Sequence, residues 1–150
     1  MAFYTDGVIS IPNVTGDIVI TATAVAQAPH YTNLADPTSP NWKTNHRVNS
    51  SGSIVAYAGA QVTNAIYVNQ GDIIRIKNCG PVTAWAYAVF EGETTETGGV
   101  ILNMEASYDA TTGIATKTVG AITNHWLRFT LSTNEISGEI IITKNEEIPS

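Results

Sequence analysis

The chain has 150 residues, which suits one domain with a real core and excludes two large ones. Charged residues make up 13% of it, about half the usual share, and Thr, Asn, Ser and Gly stand in their place, a bias common in extracellular β proteins and virion parts. A net charge of −6, with only seven Lys plus Arg, excludes a phosphate-backbone partner and mainly keeps the domain soluble.

Residues 8 to 24, VISIPNVTGDIVITATA, read as two short strands around Pro12-Asn13 and Thr15-Gly16-Asp17, with Ile18 and Ile20 alternating with Val19 and Thr21. Alone this piece would expose Ile18 and Ile20, so it is expected to add to the edge of a larger sheet. Ile136 to Thr143 echoes it as a short Gly-Asp/Glu-Ile pattern, which shared strand-end chemistry explains as well as duplication does. Residues 25 to 53 form the longest irregular segment, with Pro29, Pro37, Pro40 and Gly52. Its aromatic residues, Tyr31 and Trp42, argue that it packs onto the domain. His46 to Asn49 reads as a short strand closed by a turn at Ser50-Ser51-Gly52, followed by a strand from Ile54 to Tyr57.

The stretch 62 to 77, VTNAIYVNQGDIIRIK, reads as a β-hairpin about Asn69-Gln70-Gly71, with Gly where a positive φ is cheap. Ile66 and Val68 share one face, as do Asp72, Ile74 and Ile76, while Ile73, Arg75 and Lys77 fall opposite. Residues 84 to 91, AWAYAVFE, carry hardly a charge on either face and predict a central strand, with Trp85, Tyr87 and Val89 on one side. Val100 to Tyr108 and Ile114 to Val119 predict a second hairpin. Trp126 to Leu131 is expected to turn Leu127, Phe129 and Leu131 inward and Trp126, Arg128 and Thr130 outward. Ile140 to Ile142 closes the fold, and Asn145 to Ser150 reads as a tail. Many short strands with frequent turn signals predict an all-β, two-sheet antiparallel β-sandwich, jelly-roll-like.

Cys79 is the single cysteine, so neither an internal disulfide nor a Cys-based metal site is available, and a buried, inert thiol is expected. No stretch approaches the length of an apolar membrane span, and no signal peptide is visible. Either the protein leaves its cell inside a larger assembly or the chain is a fragment of a longer one.

Asn33-Leu34, the Arg47 to Gly52 turn, the Gly71 to Arg75 run and the closing Ile140 to Glu146 strand together resemble a β-sandwich module of bacteriophage tail and minor structural proteins. The likeness covers roughly residues 30 to 148. Residues 1 to 25 resemble the last strands of a preceding Ig-like domain, leaving 26 to 150 as the sandwich module, with Met1 then an artificial or truncated start. The resemblance implies a non-catalytic, virion-exposed binding module similar to carbohydrate-binding jelly rolls. Its partner would be a host surface glycan, and it would act outside the cell. The alternative is a structural decoration or oligomerisation domain with no ligand of its own, contacting other phage structural proteins, with Trp126 or Tyr67 buried between chains.

A pyranose ring presents apolar C–H groups to an aromatic face while amides and cations bond its hydroxyls. Trp42 with Asn45, His46 and Arg47 offers that combination on a loop; the alternative is that Trp42 plugs one end of the sandwich and Arg47 pairs with a carboxylate. Trp126, Arg128 and Arg75 would form a platform if their strands are neighbours; the alternative is that Trp126 caps a sheet edge or is covered by the long loop. His30, His46 and His125 lack metal-site spacing and read as surface or loop residues. Asp36 could donate oxygens to Ca2+, but a loop with one carboxylate is a poor cage; no other cofactor is expected. Glu91, Glu93 and Glu96 cluster in a polar turn rather than flanking a cleft, no nucleophile elbow is present, and no enzymatic activity is expected.

Overall fold

The computed structural model describes residues 3–5, 8–10, 15–16, 30–81, 87–102 and 107–149. The predicted strands around Ile18 and Ile20 and the Trp85 end of the apolar run lie outside the described residues. Near the start, β1 (Phe3–Thr5) pairs antiparallel with β2 (Val8–Ser10) as a two-stranded sheet.

The rest is the expected antiparallel β-sandwich. One sheet runs in the order β12 (Ile141–Lys144), β6 (Ile73–Lys77), β10 (Ile114–Thr118), β9 (Ser107–Asp109). The other runs β3 (Lys43–Val48), β4 (Ile54–Val62), β11 (Trp126–Ser132), β7 (Tyr87–Phe90), β8 (Val100–Ile101). In this second sheet β5 (Ile66–Tyr67) continues the line of β4 along β11 after a break in which Thr63 N–H donates to the Phe129 carbonyl at 3.0 Å. The chain passes repeatedly from one sheet to the other, the jelly-roll-like trait of the arrangement.

The alternation read from the sequence places the core correctly. Ile74 and Ile76 from one sheet meet Leu127, Phe129 and Leu131 from the other, with Ile66, Val68, Tyr87, Val89 and Ile142 filling between them. Burying such side chains contributes roughly 1.5–3 kcal/mol each. β7 is buried on both faces, as a central strand should be.

Strand partners depart from the sequence reading in two places. The 62 to 77 stretch is not a hairpin: β5 pairs with β11, whereas β6 pairs with β10 and β12 in the opposite sheet. Its turn is a corner, in which Asn69 N–H donates to Asp72 Oδ2 at 2.8 Å and Gly71 takes the positive φ of 90°. Two apolar faces that a hairpin would set side by side are thereby set opposite each other across the core. Likewise 100 to 108 is not one strand, since β8 pairs with β7 while β9 joins β10 across the interface. The β9–β10 hairpin itself forms as expected.

A second apolar cluster lies on the outer face of the larger sheet, where Val48, Val62, Ala88 and Phe90 pack with Ile54, Ile101 and Trp126. Its cover is the β3–β4 hairpin. The pairing shifts register between Thr44 and His46, where Asn45 takes φ 56°, and opposite them Gly59 takes φ 86°. This bulge gives the hairpin a strong twist. Beyond it Val48 N–H reaches Thr130 Oγ1 at 3.0 Å and Ile54 N–H reaches the Glu96 carbonyl at 2.8 Å, which docks the tip onto the sheet.

Residues 30 to 42 are irregular and packed, as the aromatic content suggested. Leu34 N–H donates to the Ile142 carbonyl at 2.8 Å, and Asn64 Nδ2 donates to the Leu34 carbonyl at 3.0 Å. The segment therefore bridges the two sheets at their open side. Among the described residues no helix is long and apolar enough to cross a membrane.

Candidate functional site

An exposed aromatic surface is built where β5 meets β11. Register sets Tyr67 opposite Trp126 and Ile66 opposite Leu127, so the two apolar residues go inward and the two aromatics go outward together. The Tyr67 and Trp126 rings meet edge to face with centroids 5.3 Å apart. On its other side the Tyr67 ring stacks on His125, at 5.4 Å and an interplanar angle of 16°. His125 is held by Nδ1 on the Val68 carbonyl at 2.9 Å, and Lys144 Nζ reaches the Tyr67 carbonyl at 2.9 Å. Tyr67 remains 46% exposed in spite of both contacts, a large share for a residue so well fixed. The result is a rigid, partly wet aromatic face flanked by a lysine.

Of these three residues the sequence reading placed Trp126 in a site, named Tyr67 only as a possible chain contact, and set His125 aside. Their meeting depends on the register of two strands far apart in sequence. Outward phase with Trp126 was the one available signal for Tyr67.

Arg128 and Arg75 do not join this face. Arg128 follows Trp126 on the same outer face of β11, but it is fully buried. Its Nε donates to the Thr63 carbonyl at 3.0 Å, its Nη2 to the Asn41 carbonyl, and its Nη1 has no partner among the described residues. Burial pulls its pKa down, opposed by the nearby Glu96 carboxylate. Arg75 is in the other sheet, so the expected platform does not form. It faces outward, and the chain end folds back onto it: Arg75 Nη1 donates to the Glu146 carbonyl at 3.1 Å, Nη2 pairs with the Glu147 carboxylate, and Lys77 Nζ holds the Pro149 carbonyl at 2.7 Å. Beside this strap a groove of about 380 Å3 is lined by Arg75, Tyr108, Asp109, Thr116 and Ile148 among others.

The second predicted cluster is dispersed along β3. Trp42 is half-buried against the main core and its Nε1 donates to Gln61 Oε1 at 2.8 Å, so it plugs the sandwich as the alternative reading had it. Asn45 is the exposed bulge residue, and His46 Nδ1 bonds the Thr44 carbonyl at 2.8 Å. Arg47 forms no carboxylate pair: its guanidinium carbon lies 4.1 Å from the centroid of the exposed Tyr57 ring. The neighbouring cation, Lys43, is paired with Glu96 at 2.8 Å; that bond holds the Glu96 carboxyl below its usual range against a small opposing effect of burial.

Asp36 spends its carboxylate on its own turn, accepting from Thr38 N–H at 3.0 Å and Thr38 Oγ1 at 2.6 Å. Those bonds lower its pKa. Among the described residues no three His, Cys, Asp or Glu side chains converge as metal ligands. Cys79 is buried with Sγ near the Gly80 carbonyl at 3.3 Å, and burial pushes its pKa up to about 12, which keeps it a protonated thiol.

No family model, no curated protein and no solved structure matches this chain.

Proposed function

We propose that this domain is a non-catalytic binding module of a phage tail or receptor-binding appendage that contacts host surface carbohydrate, and that it works on the outside of the virion. The phage setting rests on the sequence resemblance alone. The carbohydrate reading is carried by one observation: Tyr67 is held by stacking on His125 and by the edge of Trp126, yet stays 46% exposed. Aromatic faces of this kind suit the apolar side of a sugar ring, and fixing them in advance removes the cost of ordering them on binding. The non-catalytic reading draws on side chains already committed elsewhere. Glu96 is paired with Lys43, and the Cys79 thiol is buried.

A second reading, an oligomerisation domain without a ligand, is favoured by Val100, which is 49% exposed at the edge strand β8 beside a small apolar cleft lined by Leu102, Ala121 and Ile122. Glycan-array binding by wild type, Tyr67→Ala and Trp42→Ala separates the readings. The binding reading expects array signal lost in Tyr67→Ala and kept in a folded Trp42→Ala. A silent array with a concentration-dependent oligomer in light scattering would favour the second.

A further inference from the structure

Arg47 stands apart from the other cations of the fold. Lys43 pairs with Glu96, Arg75 with Glu147, and Arg128 donates to two carbonyls. The Arg47 side chain has no ion pair and no hydrogen bond among the described residues, and its Nε–H is withdrawn from water with no acceptor there. Its guanidinium is not loose, because it is laid over the Tyr57 ring at 4.1 Å. Next to it a cavity of about 290 Å3 is lined by Arg47, Val48, Asn49 and Ser50. The rim of that cavity is rigid. Asn49 Oδ1 accepts from Ser51 N–H at 3.0 Å, Ser53 N–H at 2.9 Å and Ser51 Oγ at 2.7 Å, which leaves the exposed Ser50 at the tip.

We propose that Arg47, positioned by Tyr57 and backed by the Asn49–Ser50 turn, is a receptor for the carboxylate of an acidic sugar. The proposal rests on the carbohydrate reading above and adds the class of sugar. A planar guanidinium with unspent N–H groups matches a carboxylate two bonds at a time, and stacking on an aromatic ring fixes the plane of that fork beforehand. The chain as a whole is acidic, but Glu96, a carboxylate of the turn onto which this hairpin docks, is already paired with Lys43.

The test uses the full chain and three probes: a glucuronic-acid oligosaccharide, its neutral glucose counterpart and inorganic phosphate, followed by NMR at the Arg47 Nε–H and the Tyr57 ring. The expected result is a saturable shift with the glucuronide that weakens with added salt, and at least roughly tenfold weaker binding of the neutral sugar, the loss of one charge-assisted contact. Arg47→Gln and Arg47→Lys should each lose that preference by about tenfold, with thermal stability close to wild type, because Lys keeps the charge but not the fork. Equal binding of the two sugars, or an unaltered preference in Arg47→Gln, overturns the proposal. So does a shift with phosphate and none with the glucuronide. If the neutral sugar binds and Tyr67→Ala abolishes it while Arg47→Gln is silent, this proposal falls and the carbohydrate reading stands. If neither sugar binds, both fall.

Discussion

Gly52 and Gly99 touch through their backbones: Gly99 N–H donates to the Gly52 carbonyl at 2.8 Å, and a Cβ added to Gly52 would lie 1.7 Å from the Gly99 carbonyl oxygen. This contact clamps the tip of the β3–β4 hairpin to the 91–99 turn and so seals the outer apolar cluster around Phe90. Gly52 also has φ 73°, where any other residue is strained. Gly52→Ala is expected to cost about 2–4 kcal/mol, from the clash and the left-handed backbone together. Denaturant unfolding measures it, and a loss below about 1 kcal/mol would mean that the clamp does not hold the hairpin down.

Tyr87 carries the opposite expectation. Its ring packs edge-on against Phe129 at 5.0 Å, but its hydroxyl is buried with no partner among the described residues, and burial drives its pKa upward. Tyr87→Phe keeps the ring and removes an unpaired polar atom, so stability should stay equal or rise by up to about 1 kcal/mol. A clear loss of stability would reveal a hydrogen bond at that hydroxyl.

The outer faces and the inner faces of the strands were legible in the sequence, because side-chain alternation is local. Leu127, Phe129 and Leu131 point inward as read, and Ile74 and Ile76 do as well. Which strands pair was not legible. A corner between sheets and a hairpin share the same alternation, and what distinguishes them here is long-range: Val68 N–H donates to the His125 carbonyl and Gly71 N–H to the Val119 carbonyl, each at 2.8 Å, while Asn145 Nδ2 donates to Asp72 Oδ1 at 2.9 Å. Outward phase also failed to mean exposure at Arg128. It is held by the carbonyls of Thr63 and Asn41, far away in sequence, and no local pattern announces that.

Acid should unfold the domain from the carboxylate side. Partial burial opposes ionisation of Asp72, but the bonds from Asn145 and Asn69 and the charge of Lys144 outweigh it, so its pKa is lowered. Glu96 is lowered chiefly by its hydrogen bond from Lys43. A carboxylate held lower in the folded chain than in the unfolded one lends stability that is complete above the unfolded value and is lost as pH falls through the folded one. Stability is therefore expected to be flat from neutral pH down to the ordinary carboxylate range of 4.5 and 3.8, and to fall below it. Asp72→Asn should flatten that acid limb in a pH series of melts; an unchanged limb would remove Asp72 from the account.

Cys79 should resist thiol reagents in the native state, since its pKa of about 12 leaves almost no thiolate at pH 8 and the sulfur is buried. Labelling is expected to follow unfolding, with full reaction in denaturant. Rapid labelling of the folded chain would show that the turn at Gly80 opens readily.

The most direct measurement is titration of the folded domain with purified bacterial envelope polysaccharide, read by tryptophan fluorescence and by NMR of the Tyr67 ring. The account predicts saturable binding that perturbs Tyr67 and His125 and is reduced about tenfold by Tyr67→Ala, a loss of about 1.4 kcal/mol. Binding that leaves the Tyr67 ring unperturbed and survives Tyr67→Ala intact would contradict it.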